Sequence, residues 1–148
     1  MDLVHNVRIT VFAKQYEDAD KIKHGLIQLA GLDIKEEKAI MTETAASGFN
    51  ESKIKVLELS LEKKRHARSF LKHLTGILSQ DQKHMLIRQA ETRLDEELHF
   101  FIRLDKERWL NGEAAITESG NCYHIRMLIA SYPKSRENAL KAIDEIFS

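Results

Sequence analysis

The sequence predicts an α+β domain in which a mainly antiparallel sheet is packed on one face by helices, in the order β-α-β-β-α-α-β-β-β-α. Three observations predict it: strand-like alternation near both ends of the chain, wide apolar helical stripes in its middle, and an element order too irregular for a doubly wound parallel sheet. With 148 residues the chain has the usual size of one domain, so residues 1–148 read as a single unit around one core.

The first strand is the clearest. Val7, Ile9, Val11 and Ala13 alternate with Arg8, Thr10 and Phe12, the pattern of a half-buried strand. Ala19, Ile22, Leu26 and Leu29 then recur at helical spacing behind the acidic turn Glu17, Asp18 and Asp20, and Gly31 is placed to end a helix over about residues 18–30. Residues 34–44 alternate weakly, Ala46, Ser47, Gly48 and Asn50 read as a loop, and a second β-like run covers residues 54–61, so these two strands form a long-looped hairpin. The alternation shifts between Val56 and Leu57, which points to a bulge or register change there.

The middle of the chain is helical. Ala67, Phe70, Leu71, Leu74, Ile77 and Leu78 form a wide apolar stripe, and a second helix over about residues 81–93 carries Leu86, Ile87, Ala90 and Leu94. Residues 98–104 alternate again, followed by a short segment over residues 105–111 that Gly112 closes. Strands are expected near residues 114–117 and 122–130, joined by the turn Ser119, Gly120, Asn121. Ala139, Leu140, Ile143, Ile146 and Phe147 mark a final amphipathic helix with Ser135 as its cap.

Composition excludes several classes. Lysine plus arginine and aspartate plus glutamate both number 23, so a basic surface for nucleic acid has to be local. No apolar run approaches the roughly 20 residues of a membrane helix, and residues 1–14 lack the continuous apolar stretch of a signal peptide. Cys122 is the only cysteine, which fits a reducing compartment and a cytoplasmic protein with no membrane partner.

No catalytic or metal template matches, so the expectation is a non-enzyme without cofactor or metal. The seven histidines show no ligand spacing, and there is no phosphate-cradling glycine loop and no nucleophile elbow. Cys122 lies in a strand pattern where a small buried residue is usual. Asp95, Glu96 and Glu97 suggest a metal-dependent nuclease less well than a loop solvating the entrance to a strand.

The segment His99-Phe100-Phe101-Ile102-Arg103-Leu104-Asp105-Lys106, with Gly112 downstream, resembles an archaeal family of predicted RNA-binding proteins, also called a predicted exosome subunit, whose members carry an aromatic strand, then Arg-x-Asp-Lys, then a glycine. The resemblance extends to the opening strand near His5, to Glu17-Asp18, and to the last strand and helix. Where the family's central loop shows Gly-Asn-Pro, this chain has Gly48-Phe49-Asn50 followed by Glu51. The resemblance implies a fold like that of the large-subunit ribosomal protein that contacts 5S rRNA. It further implies a non-catalytic RNA-binding role in archaeal RNA processing, exosome-related or ribosome-related, with RNA as partner and an RNA-processing complex as setting.

Binding RNA takes cations for the phosphates and flat side chains for unstacked bases. Two surfaces offer these. Residues 63–80 contain no acid, and with Phe70, Leu71 and Leu74 buried, Lys64, Arg65, Arg68 and Lys72 fall on the solvent side of one helix, with Glu58 or Glu62 placed to neutralise them in part. The second is the sheet face turned away from the helices. If Val7, Ile9, Ile102, Leu104, Ile125 and Met127 face inward, then Arg8, Phe101, Arg103, His124 and Arg126 emerge together on the other side. The same residues also fit a protein–protein adaptor or a homodimer packed through that face, without RNA affinity. For Arg103 and Asp105 a local role is preferred, Asp105 capping the short helix and Arg103 pairing with a nearby carboxylate, and Trp109 reads as a core or interface anchor.

Overall fold

The computed structural model describes residues 2–47 and 52–148. Along the chain run β1 (Val4–Lys14), α1 (Ala19–Ala30), β2 (Ile40–Ser47), β3 (Lys53–Leu61), α2 (Lys64–Ile77), α3 (Gln80–Arg88), α4 (Ala90–Arg93), β4 (His99–Asp105), α5 (Lys106–Leu110), β5 (Cys122–Ile129) and α6 (Arg136–Phe147). The strands form a five-stranded sheet in the order β2-β3-β1-β5-β4, antiparallel at every pairing. This is the α+β architecture expected, with the central position taken by the opening strand, whose alternation is the cleanest.

Period two divides each central strand between two faces. Val7, Ile9, Val11 and Ala13 of β1, Leu57, Leu59 and Leu61 of β3, Ile125 and Met127 of β5, and Phe100, Ile102 and Leu104 of β4 all point to the helix side and are buried. Against them pack Ile22, Leu26 and Leu29 of α1, Phe70 and Leu74 of α2, and Ile143 and Phe147 of α6. Each such side chain stabilises the fold by roughly 1.5–3 kcal/mol relative to exposure. The helices start where the sequence supplies an oxygen: Asp18 Oδ1 accepts from Asp20 N and Lys21 N, Ser79 closes a capping box with Gln82, and Ser135 Oγ accepts from Asn138 N. Gly31 ends α1 at φ 70° with the His73 ring packed against its Cα, where no side chain fits.

Three expectations change. The register of β3 is unbroken with β1 from Ile54 to Leu61 and with β2 from Lys53 to Ser60, so there is no bulge; Val56 is an apolar residue on the open face, opposite Phe12 and Thr44, and its hydrophobicity imitates a phase shift. The strand expected at residues 114–117 shrinks to a single bridge, Leu104 to Ile116, on the outer edge of β4, where Asp105 N donates to Ala115 O and Thr117 N to Arg103 O. Ala46 and Ser47 belong to β2, while Gly48, Phe49, Asn50 and Glu51 lie outside the described residues.

The two sheet edges differ. Along β4 the outward carbonyl of Phe101 accepts from Arg93 Nη1 at 3.2 Å, which covers that edge together with residues 115–117. Among the described residues β2 pairs only with β3, and it is exposed over most of its length.

Candidate nucleic-acid interface

Opposite the helices the sheet face is open, and cross-strand register decides which residues meet there. Arg8 of β1 stands beside Arg126 of β5, and Arg126 beside Phe101 of β4; in the next row Thr10 stands beside His124 and His124 beside Arg103. All five residues expected on this face are therefore neighbours. Residues directly opposite on one face have Cβ atoms about 5 Å apart, so Arg8 and Arg126 set two cationic side chains side by side on neighbouring strands, a pairing that is unfavourable without anionic partners.

The rings form a line. Phe101 and His124 have centroids 5.3 Å apart at 33°, and His99 and Phe101 are 6.4 Å apart. Phe12, 49% exposed, adds an apolar surface on the adjacent strand. Burial, helped by the charges of Arg103 and Arg126, pushes the His124 imidazole below its ordinary value, so it is a neutral ring near pH 7. Two hollows of about 240 Å³ flank these residues, one between Arg8, Arg126, His99 and Ser60, the other between Phe12, Arg103, His124 and Cys122. Burial also raises the Cys122 thiol, leaving it protonated and unreactive.

The cations are only partly neutralised. Arg8 Nε lies 3.5 Å from Glu58, which also accepts from Thr10 Oγ1 at 3.4 Å. Arg126 Nη2 contacts the buried His99 Nε2 at 3.1 Å, and His99 Nδ1 sits 3.5 Å from Asp95. Asp95 is thus occupied at home: its Oδ1 accepts from Glu97 N and His99 N at 2.9 and 2.8 Å, organising the entrance to β4. Among the described residues no three His, Cys, Asp or Glu side chains gather as a metal-holding group.

On α2 the structure places Lys64, Arg65, Arg68 and Lys72 on the solvent side, above buried His66, Ala67, Phe70 and Leu74. Their neutralising partners are not Glu58 or Glu62. Arg65 Nε binds Glu37 at 2.9 Å and Arg68 Nε binds Asp2 at 3.2 Å, groups far away in sequence that the fold brings to the helix. Lys63, Lys64 and Lys72 have no carboxylate partner among the described residues. The Arg65 hydrogen bond, aided by His66, holds the Glu37 carboxyl below its usual range.

A family model described as RNA binding matches residues 6–130, a span that includes the whole open face and α2. The chain belongs to this RNA-binding family. It is similar to an RNA-binding protein of Pyrococcus abyssi, 30% identical over 141 residues that cover 95% of this chain and 92% of the relative. Its fold is that of a DUF54 protein from Archaeoglobus fulgidus, with a TM-score of 0.84 at 24% identity over 97% of this chain and 99% of that one. A DUF54 protein from Methanothermobacter thermautotrophicus superposes with a TM-score of 0.81 at 25% identity, covering 99% and 100%.

Within this family match, the Arg103 to Lys106 motif serves the fold. Arg103 Nη1 donates to the backbone oxygen of Glu118 at 3.0 Å, a carbonyl and not the carboxylate expected. Asp105 Oδ2 accepts from Arg108 N and caps α5, as its position suggested. Lys106, which sequence reasoning left without a role, is 2% exposed, and its Nζ donates to Phe12 O at 2.8 Å and Glu17 Oε1 at 2.9 Å. Burial raises the Glu17 carboxyl, but the Lys106 and Lys14 contacts outweigh it and hold it below its ordinary value. Arg93 was missed as well: its Nη2 binds Glu118 at 3.1 Å while Nη1 holds β4. Trp109 is an anchor, donating from Nε1 to Gly25 O at 2.8 Å, and no helix of the described chain is long and apolar enough to cross a membrane.

Proposed function

We propose that this protein binds RNA without cleaving it, on the open sheet face, with unpaired bases resting on Phe101, His124 and Phe12 and phosphates held by Arg8, Arg103, Arg126 and the α2 cations Lys64, Arg65, Arg68 and Lys72. The observation that carries this reading is the register pair Arg8–Arg126 beside Phe101: two cationic side chains on neighbouring strands and a ring, on a face that no helix of the described residues covers. A duplex presents its bases edge-on within grooves, whereas a shallow face with rings suits splayed single-stranded bases. The family match and the name of the Pyrococcus relative support the ligand class. The setting is archaeal RNA processing, exosome-related or ribosome-related, in the cytoplasm and as part of a larger complex.

A filter-binding titration with pooled cellular RNA at low salt tests the reading. Retention should fall steeply with log salt as phosphate contacts are released, and Arg126→Glu or Arg68→Glu should weaken it; no retention at low salt would sink it. A second reading, an adaptor or homodimer packed through the same face, is favoured by the exposure of Phe12 and Ile40, 49% and 52%. It predicts a concentration-dependent mass in solution that salt barely alters.

A further inference from the structure

We infer that the hollow between His5 and Tyr132, at one end of the open face, is a subsite for one unpaired nucleobase of the bound strand; it rests on the RNA-binding reading above and deepens it. The hollow holds about 300 Å³ and is walled chiefly by His5, Leu98, Leu128, Ser131, Tyr132 and Lys134. It adjoins the groove of Arg8 and Arg126. Leu128 is the cross-strand neighbour of both Asn6 and His99, which wall that groove, so a strand leaving the paired arginines reaches the hollow at the next row of the sheet.

Two departures from regular backbone converge on it. Val4 pairs with Ile129 and Asn6 with Leu128, so His5 is an extra residue in β1, and a bulge near a strand end re-aims a side chain. The re-aimed His5 ring meets Tyr132 edge to face, with centroids 6.0 Å apart at 89°. Leu98 stands at φ 70°, a left-handed conformation that bulky residues rarely adopt, and its carbonyl accepts from Ile129 N at 2.9 Å, which holds it beside β5. Local strain of this kind gathers at binding sites.

The hollow is apolar where folding does not require it. Tyr132 is 62% exposed, and Leu128, on the open side of β5, lies outside the core that the helices cover. A nucleobase is flat and partly apolar, and it stacks on an exposed ring whatever its sequence. Ser131 adds a polar contact: it is 8% exposed, its Oγ accepts from Ser135 N at 3.2 Å, and its hydroxyl hydrogen is left to donate to the edge of a base. Charge then sorts base from phosphate. No carboxylate walls the hollow, and Lys134 on its rim is exposed without a carboxylate partner among the described residues. Glu96 and Glu97 are exposed just before Leu98, and Asp95 and Glu97 face His99 Nδ1 at 3.5 and 3.9 Å, so a phosphate is repelled from the entrance to β4 and drawn to Lys134.

The test is an amide NMR titration of the full chain with adenosine monophosphate, with ribose phosphate as the control that lacks a base, run beside binding of a short oligoadenylate. The amides of His5, Leu98, Ser131 and Tyr132 should shift saturably with the nucleotide and stay still with ribose phosphate. Tyr132→Ala should lower oligoadenylate affinity about tenfold, the loss of one stacked base, with the salt slope and the thermal midpoint unchanged. Tyr132→Phe keeps the ring and should keep the affinity. Lys134→Gln should instead reduce the salt slope by about one. Equal shifts with ribose phosphate would make the hollow an anion site and overturn the base assignment. Full affinity in Tyr132→Ala, alongside retention of RNA by the wild type, would overturn the subsite alone. A concentration-dependent mass that Tyr132→Ala abolishes would make the hollow a contact between copies and overturn it as well. Failure of the wild type to retain RNA would overturn the function itself.

Discussion

Ile125 and Arg126 are adjacent in one strand, yet they belong to two regions built on opposite requirements. Ile125 is fully buried under the helices, with Ile9 and Ile102 as its cross-strand neighbours, whereas Arg126 stands among Arg8, Phe101 and His99 on a face without helices. The helix side is what a sheet needs in order to fold. The open side accepts like charges on neighbouring strands and rings left half bare, an arrangement that does not serve folding and is explained by a ligand that supplies further negative charge. One strand therefore separates folding from binding at a step of a single residue, and substitutions can separate them too.

The largest expected effect lies on the helix side. Ile125→Ala should lower stability by about 3 kcal/mol, through lost burial and the cavity left behind, with RNA affinity of the folded fraction unchanged; urea unfolding and filter binding on the same preparation check both halves. Lys106→Met comes next. It strands Glu17 and the Phe12 carbonyl, and because Glu17 is still partly open to solvent the cost should be about 2–3 kcal/mol, below that of a fully buried pair. Since Lys106 also holds the backbone beneath Phe12, a variant with normal stability would show that the clamp is redundant.

Arg126→Ala should do the reverse. Stability should stay within about 0.5 kcal/mol or improve, while RNA affinity falls about tenfold, or about 1.4 kcal/mol; a stability loss equal to that of Ile125→Ala would erase the distinction between the faces. The smallest effect concerns pH. His124 has a lowered value in the folded protein, so the unfolded chain takes up a proton first as pH falls below 6.5, and stability declines from there until the folded form protonates as well. Replacing it by glutamine should flatten that decline in unfolding curves taken between pH 7 and 5. RNA should oppose the decline in the wild type, because a charged ring beside phosphate is favoured.

Much of this division was legible in the sequence, because period two and period 3.6 register burial directly: β1, β5, α1 and α6 follow from their apolar spacing, and the five residues of the open face follow from phase once the inward set is chosen. The misreadings share a cause. Val56 is apolar on the open face and looked like a register change, and residues 114–117 carry enough apolar character for a strand but make one bridge. Partners distant in sequence leave no local trace, so Glu37 for Arg65, Asp2 for Arg68 and Glu17 for Lys106 had to come from the fold. Lysine is read by default as a surface residue, and a fully enclosed one such as Lys106 defeats that default.

That enclosed lysine bears on how chains of this kind are grouped. Lys106 bolts the start of α5 to the end of β1 and the approach to α1, segments about 90 residues away in sequence. A pattern search built on Arg-x-Asp-Lys thus selects for an intact bolt, and it will collect chains alike in architecture whether or not they keep Arg8, Phe101 and Arg126. Arg103, in the same motif, stands beside His124 on the open face, so the motif reaches both sides of the sheet.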